Sequence, residues 1–505
     1  MKWQKPFWLL VLGLLVLTPY VWGQEASPPV RAERLPTQQL SVTHHEIVIE
    51  GKPLKYRATA GYLVLLDEDG HHKANVFFVA YEKEGEEMPA RRPVTFAFNG
   101  GPGSSSVWLH LGALGPRRVV MDSLGMPLPP PYRLEANPYS WLDITDLVFI
   151  DPVTTGYSRA AVGEDPAQFH GYEEDITWVG EFIRLWTTRF KRWVSPKFLA
   201  GESYGTTRAA GLAGYLQERH GMYLNGIVLI SSILNFQTAR FTTGNDLPYI
   251  LFLPTYTATA WYHKRLPEDL QEKPLRQVLD EVEAFAMGDY TLALMQGDAL
   301  SEVTYRRMVD RLARYTGLSP AYIEQSNLRI PIYRFTKALL RDQRRTVGRL
   351  DSRFTGIDRD AAGERFEFDP SYAAIQGPFT AMLNDYVRRE LKYENDLPYE
   401  ILTGRVRPWN YNNVQNQFLN VAETLRQAMS RNPALQVYIA SGYYDLATPY
   451  FATQYTVHHM MLDPALRGNV HMGYYEAGHM MYIHQASLRK LKQEVRAFYQ
   501  RALNQ

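Results

Sequence analysis

A serine stands between two glycines in the segment Gly201-Glu202-Ser203-Tyr204-Gly205, which satisfies the pattern G-x-S-x-G. The apolar run PKFLA precedes this segment and the helical pattern TTRAAGLAGYLQERH follows it. Between a strand and a helix, such glycines allow a tight turn that projects the serine hydroxyl above a sheet. The same turn directs backbone N–H groups at a developing oxyanion. The pattern predicts a nucleophile at Ser203, and a loop serine that only caps the helix is the alternative.

A serine hydroxyl is a weak nucleophile until a base takes its proton, and the base needs an acid that fixes its tautomer. Of the 13 histidines, His479 fits the base best. It follows a short predicted strand, lies beside a glycine and precedes the terminal helical segment. His471 and His484 are nearby competitors, and a structural histidine is the ordinary alternative.

Asp445, in the segment VYIASGYYDLATP, is the candidate acid. It lies just beyond a predicted buried strand, where ligand-facing residues collect in open α/β sheets. An Asx turn is the structural alternative. Asp463 and Glu476 are weaker candidates, because Asp463 falls in a predicted surface turn and Glu476 is too close to His479 along one strand. The order Ser203, Asp445, His479 also matches the order nucleophile, acid, histidine that such sheets use.

The elements that must position these residues follow from hydrophobic periodicity. Alternating β-branched and aromatic residues predict antiparallel strands from about residue 43. Short apolar runs at 93–101, 145–152, 226–232 and 435–441 are typical of central strands covered on both faces. Helical spacing lies between several of these runs and at the end of the chain. The order predicts the α/β class, with a doubly wound, mostly parallel central sheet.

Composition and periodicity together predict five segments. They are a signal peptide at 1–23, a loose lead-in at 24–42, the first part of the α/β core at 43–235, an inserted helical cap at 236–404, and the second part of the core at 405–505. Lys2 and Lys5 precede a short apolar run that is typical of a cleaved signal. A retained membrane anchor is the alternative, although the run is short for a span of about 20 apolar residues.

The charge balance and the absence of cysteine exclude several classes of function. The 54 Lys and Arg against 53 Asp and Glu leave a net charge of +1, so the overall charge favours neither nucleic acid nor an anionic membrane as a partner, and a local charged patch is the alternative. The chain has no cysteine, which excludes thiol catalysis and cysteine zinc sites. A large core without disulfides suits a periplasmic or secreted bacterial protein.

Several motifs outside the serine turn share a pattern. They are NGGPGSSS at 99–106, NPYSW at 137–141, VFIDPVTTGYS at 148–158, GESYGT at 201–206, SGYYD at 441–445 and AGHM at 477–480. Together they resemble the serine carboxypeptidase family, whose fold is an α/β hydrolase with an inserted cap. The motifs span nearly the whole chain after residue 43 outside the cap.

The resemblance implies a role for each matching residue. Ser203 attacks, His479 transfers the proton and Asp445 orients His479. The backbone N–H groups of Gly101 and Tyr204 form the oxyanion hole. A glycine after a strand suits that position, because the backbone must approach the substrate closely.

The resemblance also implies that Asn99 and Glu202 bind the terminal carboxylate of the substrate. Two carboxylates lie together only if they share a proton or one is neutralised, which predicts faster peptide cleavage at acidic pH. Three positions depart from the family pattern: Ala97 replaces a tryptophan, Ala113 replaces a second glutamate of the carboxylate network, and Ser104 replaces a cysteine. The first two weaken the expectation of strict carboxypeptidase specificity.

The leading hypothesis is an exported serine carboxypeptidase that acts on peptides through an acyl-enzyme. An esterase or acyltransferase of the same fold is the first alternative, and a catalytically silent binding module is the second. No cofactor, metal, nucleic-acid partner or stable membrane insertion after signal cleavage is predicted. A metal-dependent hydrolase is disfavoured, because side chains of adjacent histidines diverge on strands and helices. These adjacent pairs are His44-His45, His71-His72 and His458-His459.

Overall fold

The computed structural model describes residues 40–86 and 88–504. The predicted signal peptide and most of the predicted lead-in therefore lie outside the described residues. The first strand begins at Leu40, where Leu40 pairs with Gly61, so residues 40–42 belong to a strand and not to a loose lead-in. Within the described ranges, no helix combines the length and the apolar character needed to cross a bilayer.

The described residues form fourteen strands. Numbered β1 to β14 in chain order, they are Leu40–Ile49, Lys52–Leu66, His72–Lys83, Val94–Phe98, Arg117–Val119, Leu134–Ala136, Asp146–Ile150, Arg159–Ala160, Lys197–Ser203, Gly226–Ser232, Thr346–Val347, Thr355–Gly356, Gln436–Gly442 and Val470–Tyr475. The α-helices, numbered α1 to α14, are Val107–Leu109, Tyr172–Arg189, Tyr204–His220, Leu247–Tyr262, Glu268–Gln271, Leu275–Phe285, Thr291–Gln296, Glu302–Thr316, Pro320–Gln325, Ile332–Ala338, Pro370–Arg389, Ala422–Arg431, Tyr450–His458 and Gln485–Leu503.

Ten of these strands form one sheet in the order β1-β2-β3-β7-β4-β9-β10-β13-β14, with β8 paired to β3. The pairs among β1, β2 and β3, and the pair β3 and β7, are antiparallel. Every neighbouring pair from β7 to β14 is parallel. The predicted mostly parallel central sheet is confirmed. Because consecutive parallel strands need crossovers, helices lie between them in the chain.

The central strands are buried along their whole length, which explains their continuous apolar runs. One hydrophobic cluster fills the face where α2, α3 and α12 pack. A second fills the opposite face, where α1, α11 and α14 pack. The carboxyl ends of the parallel strands are thereby held between two helical layers, and β9 and β13 end there beside the candidate catalytic residues.

A third hydrophobic cluster lies outside the sheet. It is built mainly by the helices between α4 and α10, with contributions from the segment that follows β13. The cluster belongs to the long stretch of chain between β10 and β13, where the sequence predicts an inserted helical cap. The limits 236–404 of that cap, and the other segment limits, stay predictions.

Helix α14 is fixed to the sheet by Tyr499. Its ring stacks on Phe198 of β9 at a centroid distance of 4.1 Å, and its hydroxyl lies 2.6 Å from Thr95 Oγ1 on β4. The side chain is 1% exposed. The contact ties the end of the chain to the strand that carries Ser203.

Tyr499→Ala is expected to lower the free energy of unfolding by about 3 kcal/mol, because it opens a cavity and leaves the Thr95 hydroxyl with one partner fewer. Denaturant-induced unfolding, followed by far-UV circular dichroism, measures the change. Gln493→Ala on the exposed side of the same helix is the control and is expected to change stability by less than about 0.5 kcal/mol. Equal effects of the two substitutions would contradict the assigned role of Tyr499.

Candidate functional site

Ser203 lies at a sharp turn between β9 and α3. Its backbone adopts φ 59° and ψ −129°, a region that non-glycine residues rarely occupy. Such conformations persist only where the surrounding structure enforces them. The turn projects Ser203 from the end of the strand, as the G-x-S-x-G pattern predicts.

Glycines make this turn possible because neighbouring backbone comes too close for a side chain. A Cβ on Gly201 would lie 2.2 Å from the carbonyl oxygen of Gly205, and one on Gly205 would lie 2.8 Å from that of Phe98. A Cβ on Gly100 would lie 2.4 Å from the amide nitrogen of Tyr204. The glycine-rich segment after β4 is therefore packed directly against the serine turn.

This packing places the two predicted oxyanion-hole residues in one region. Tyr204 is the first residue of α3, so its N–H group has no carbonyl partner within the helix. Gly101, adjacent to Gly100, has φ 106° and lines the same cavity as Ser203. The positive φ of Gly101 turns the backbone in a way that a side chain would oppose.

His479 and Asp445 are in direct contact. His479 Nδ1 lies 2.7 Å from Asp445 Oδ2, and both side chains are buried. Asp445 Oδ1 also accepts hydrogen bonds from the amides of Ala447 and Thr448, and the Thr448 hydroxyl donates to Asp445 Oδ2. The carboxylate is therefore fixed by the turn after β13 and can orient one ring nitrogen of His479.

Opposing effects act on the protonation of His479. Burial alone would lower its pKa, but the negative charge and the hydrogen bond of Asp445 outweigh burial, and the charge of Glu202 adds to the rise. The pKa of His479 consequently lies above its ordinary value. The ring is thus a stronger base than a histidine in water.

A segment distant in sequence holds the His479 loop. The His479 amide donates to the carbonyl oxygen of Leu350 at 2.7 Å, and the Gly478 amide donates to Asp351 Oδ2 at 3.0 Å. Arg353 in turn binds Asp351 through both Nε and a terminal nitrogen. From the other side, the Ser231 hydroxyl donates to the carbonyl oxygen of His479. The loop is anchored at consecutive backbone groups.

Glu202 is a buried carboxyl group beside Ser203. It is 3% exposed and accepts a hydrogen bond from the hydroxyl of Tyr482. Burial raises the pKa of Glu202 to about 7, although positive charge on His479 and the Tyr482 hydrogen bond oppose the rise. Glu202 therefore changes its charge near neutral pH.

The side-chain amide of Asn99 lies beside Glu202 and opposes the rise in the pKa of Glu202. The side-chain oxygen of Asn99 accepts from the amide of Leu109, while its Nδ2 is buried and has no hydrogen-bond partner among the described residues. Arg208 donates to the Asn99 carbonyl oxygen at 2.6 Å and to Asp175 at 2.8 Å, which fixes the segment. A buried, unpaired N–H group is unfavourable unless a ligand accepts its hydrogen bond.

The predicted residues meet at one cavity of about 710 Å³. Its lining includes Asn99, Gly101, Glu202, Ser203 and His479. Aromatic side chains form much of the remaining wall, and they are Trp108, Tyr333, Tyr372, Trp409 and Tyr411. Asp445 lies behind His479. Tyr204 is not among the lining residues, and its hydroxyl accepts from Nε1 of Trp409 in the cavity wall.

The competing candidates lie elsewhere. His471 contacts Gln436 and His484 contacts Ser487, so neither histidine is directed at Asp445. Asp463 accepts from the amide of Ala465 in a surface turn, and Glu476 is exposed. The roles of Ser203, Asp445 and His479 stay predictions that rest on this geometry.

Two of the three departures from the family pattern, Ala97 and Ala113, supply no group to the cavity. Ala97 and Ala113 are fully buried and are absent from its lining. Ser104 does line it, accepts from Trp108 Nε1 at 2.9 Å and donates to nearby carbonyl oxygens.

Sequence reasoning missed four contributors to the site. Tyr482 lies three residues after His479 and Arg208 five residues after Ser203, but a tyrosine and an arginine at these offsets carry no pattern of their own. Thr448 and Asp351 act through contacts that the fold creates.

A group of side chains that could hold a metal ion lies in the turn between β2 and β3, and it consists of Asp67, Asp69 and His71. In this turn, Asp67 accepts hydrogen bonds from the backbone N–H groups of Asp69 and His71.

Gly201→Ala is expected to lower the free energy of unfolding by about 2 kcal/mol or more, because its Cβ would overlap the backbone of Gly205. Thermal unfolding monitored by circular dichroism measures the loss. Gly468→Ala is the matched control, since nothing lies within 4 Å of that Cβ. A normal melting temperature for Gly201→Ala would show that the turn tolerates a side chain.

The sequence of the chain is similar to that of known proteins over most of its length. The family described as serine carboxypeptidase matches residues 49–480. Serine carboxypeptidase-like 44 of Arabidopsis thaliana is 32% identical over 246 residues, which cover 47% of this chain and 45% of that protein. The pheromone-processing carboxypeptidase KEX1 of Yarrowia lipolytica is 30% identical over 168 residues, covering 32% of this chain and 25% of the relative. The chain thus spans less than half the length of these curated relatives.

Among solved structures, KEX1(delta)p, a prohormone-processing carboxypeptidase from Saccharomyces cerevisiae, superposes with a TM-score of 0.55. The match covers 88% of this chain and 91% of that one at 17% identity, which supports the shared fold. The sheet order and flanking helices agree with the α/β-hydrolase fold. The chain belongs to the serine carboxypeptidase family.

Proposed function

We propose that the chain is an exported serine carboxypeptidase that removes single residues from the carboxyl ends of peptides. The hydrogen bond of 2.7 Å between His479 Nδ1 and Asp445 Oδ2, beside a serine on a strained turn, is the observation that carries the proposal. Family membership supports a peptidase. The lining of one cavity by Ser203, His479 and Glu202 supports the site.

In the proposed reaction, Ser203 Oγ attacks the scissile carbonyl carbon while His479 Nε2 takes the hydroxyl proton. The hydrogen bond from Nδ1 to Asp445 leaves Nε2 free to accept that proton and stabilises the charged ring. The N–H groups of Gly101 and Tyr204 stabilise the negative carbonyl oxygen of the tetrahedral intermediate.

Collapse of this intermediate breaks the peptide bond, and His479 gives its proton to the departing amine. The peptide is left esterified to Ser203. Water then attacks the ester with His479 as base, and Ser203 regains its proton. The released products are one amino acid and the shortened peptide.

Selectivity for the last residue is assigned to Asn99 and Glu202. The unpaired Nδ2 of Asn99 donates to the terminal carboxylate of the substrate. Protonated Glu202 donates a second hydrogen bond, whereas ionised Glu202 repels the carboxylate. Since the pKa of Glu202 is about 7, the protonated form is available at acidic pH.

An esterase or acyltransferase on the same residues is the second candidate. The buried alanines at positions 97 and 113, where the family pattern has a tryptophan and a glutamate, are the observation that favours it. Without those side chains the site has fewer groups that could bind a terminal carboxylate. The same acyl-enzyme would then be formed from an ester substrate.

Export belongs to the same proposal. The basic and apolar pattern of residues 1–23 is typical of a secretory signal, and the chain has no cysteine. A periplasmic or secreted location agrees with both features.

The first test compares an N-blocked dipeptide that has a free carboxylate with its C-terminal amide. The wild-type enzyme is expected to release the last residue from the free acid and to leave the amide intact. Ser203→Ala is expected to reduce kcat by about 10⁴-fold or more, since the attack on the carbonyl carbon is lost. Chromatographic detection of the released amino acid measures turnover.

Labelling by a fluorophosphonate provides the control for this test. Wild-type enzyme is expected to be labelled and Ser203→Ala is not. Turnover of simple esters without turnover of either dipeptide would replace the peptidase by the esterase or acyltransferase. Absence of labelling in the folded wild type would reject both enzyme hypotheses and leave the catalytically silent binding module.

Glu202 is expected to set the alkaline limit for free-acid substrates. As pH rises through about 7, Glu202 loses its proton and KM for the free-acid dipeptide rises, by about tenfold between pH 6 and pH 8 for a single titrating group. Steady-state kinetics over this range measures the change.

Glu202→Gln keeps a neutral donor at all these pH values and is expected to abolish the alkaline rise in KM. An ester without a free carboxylate is the control substrate, whose KM should not follow the Glu202 titration. An unaltered KM profile in Glu202→Gln would remove Glu202 from carboxylate binding.

A further inference from the structure

A second cavity adjoins the catalytic one. It has a volume of about 680 Å³ and shares Arg240, Tyr333 and Arg349 with the catalytic cavity, but none of the catalytic or carboxylate-binding residues. Arg349 directly precedes Leu350, the residue whose carbonyl oxygen binds the His479 amide. The positive charge of Arg349 opposes the rise in the pKa of His479, which agrees with a short separation. The second cavity therefore begins beside the catalytic histidine.

The lining of the two cavities carries an excess of positive charge. Six arginines contribute to it: Arg240, Arg329, Arg334, Arg349, Arg365 and Arg407. Among the lining residues of these cavities, the carboxyl groups are those of Glu202 and Glu364. The excess is local, because the whole chain has a net charge of only +1.

Two of these arginines already have carboxylate partners. Arg329 binds Asp246 through two nitrogens at 2.6 and 2.7 Å, and Arg334 contacts Glu364 at 3.1 Å. In such pairs the planar guanidinium group donates hydrogen bonds to the carboxylate oxygens.

The other four have no carboxylate partner among the described residues. Arg240 and Arg365 instead lie over the rings of Phe236 and Tyr333, both at 5.3 Å. Arg349 is only partly exposed. Arginine keeps its charge at all relevant pH values, and converging unpaired guanidinium groups in a concave site attract an anionic ligand.

The proposed reaction determines which part of a peptide reaches the second cavity. A carboxypeptidase binds a single residue beyond the scissile bond, and Asn99 and Glu202 hold its carboxylate. Every other residue of the peptide lies on the amino-terminal side of that bond. A cavity that continues from the catalytic one past Arg349, away from Asn99 and Glu202, therefore lies where those residues must go.

We propose that this arginine-lined cavity is a subsite for carboxylate side chains on the amino-terminal side of the scissile bond, so that the enzyme prefers acidic peptides. The inference rests on the proposed peptidase function and adds the substrate class to it. Arg240 and Arg349 lie at the junction of the two cavities and bind the acidic side chain nearest the scissile bond.

The test uses three N-blocked pentapeptides with the same free C-terminal residue. They differ only in the two residues before the one that flanks the scissile bond, which are both Glu, both Gln or both Lys. The Glu peptide is expected to have a kcat/KM about fivefold above that of the Gln peptide, which corresponds to a partly exposed ion pair, and the Lys peptide is expected to be the poorest. The Glu to Gln ratio should fall as salt is added.

Variants then assign the preference to the arginines. Arg240→Gln and Arg349→Gln are each expected to bring the Glu to Gln ratio toward one, and Arg240→Glu to favour the Lys peptide. Arg359→Gln removes an arginine from the same part of the chain that lines neither cavity, and it should keep the wild-type ratio. The reversed preference of Arg240→Glu cannot result from misfolding, which would lower activity on all three peptides.

Binding to the Ser203→Ala variant separates this inference from the peptidase function. Calorimetry is expected to show tighter binding of the Glu peptide than of the Gln peptide, and loss of the difference when Arg240→Gln is added. This result without turnover by the wild type would retain the subsite and reject the peptidase. Turnover with equal kcat/KM for the Glu and Gln peptides would retain the peptidase and overturn the subsite. A ratio of one, together with loss of the preference for a free carboxylate in Arg349→Gln, would also overturn it, because Arg349 would then bind the chain end.

Discussion

The close backbone packing around Ser203 is the constraint on which the site depends. Gly201 and Gly205 permit the strand to turn into the helix, and Gly100 permits the segment after β4 to lie against the turn. None of these contacts leaves room for a Cβ. As a result, two adjacent parallel strands, β4 and β9, deliver the serine and the glycine-rich backbone to the same point. Every other feature of the site is arranged around that fixed point.

Ionisable groups at this point are coupled through burial. Glu202, Asp445 and His479 are all nearly inaccessible to solvent, so their charges interact in a medium that screens them weakly. Asp445 favours a proton on His479, and so does ionised Glu202. Burial favours a neutral Glu202. In the proposed function, a substrate carboxylate that enters next to Glu202 would change the proton distribution over the whole group and so link recognition of the chain end to proton transfer.

Local sequence signals are sufficient to predict the sheet and the turn at Ser203. Apolar runs of strand length and the G-x-S-x-G turn report short-range geometry, and the structure has strands and a helix at the expected places. His479 and Asp445 required the chain order as well, since a single histidine or aspartate has no pattern. The predicted start of the first strand, at about residue 43, lies three residues after the observed start at Leu40, because the polar, alternating residues there resemble a loop.

Other parts of the site could not be read from the sequence because they arise from distant contacts. Asp351 and Leu350 reach His479 only after the chain has folded. The arginines without carboxylate partners that line the two cavities come from separated segments, at 240, 349, 365 and 407, and a balanced net charge conceals them. Tertiary structure alone shows which charges have partners and which do not.

The segment that anchors the His479 loop also limits how substrate specificity can change in this fold. Leu350 and Arg349 are neighbours in the chain, so one short segment both holds His479 and shapes the adjoining cavity. An insertion, deletion or exchange in this segment would alter substrate choice and histidine placement together. Specificity here is therefore expected to evolve by single side-chain replacements on a retained backbone, and not by swapping whole loops between relatives.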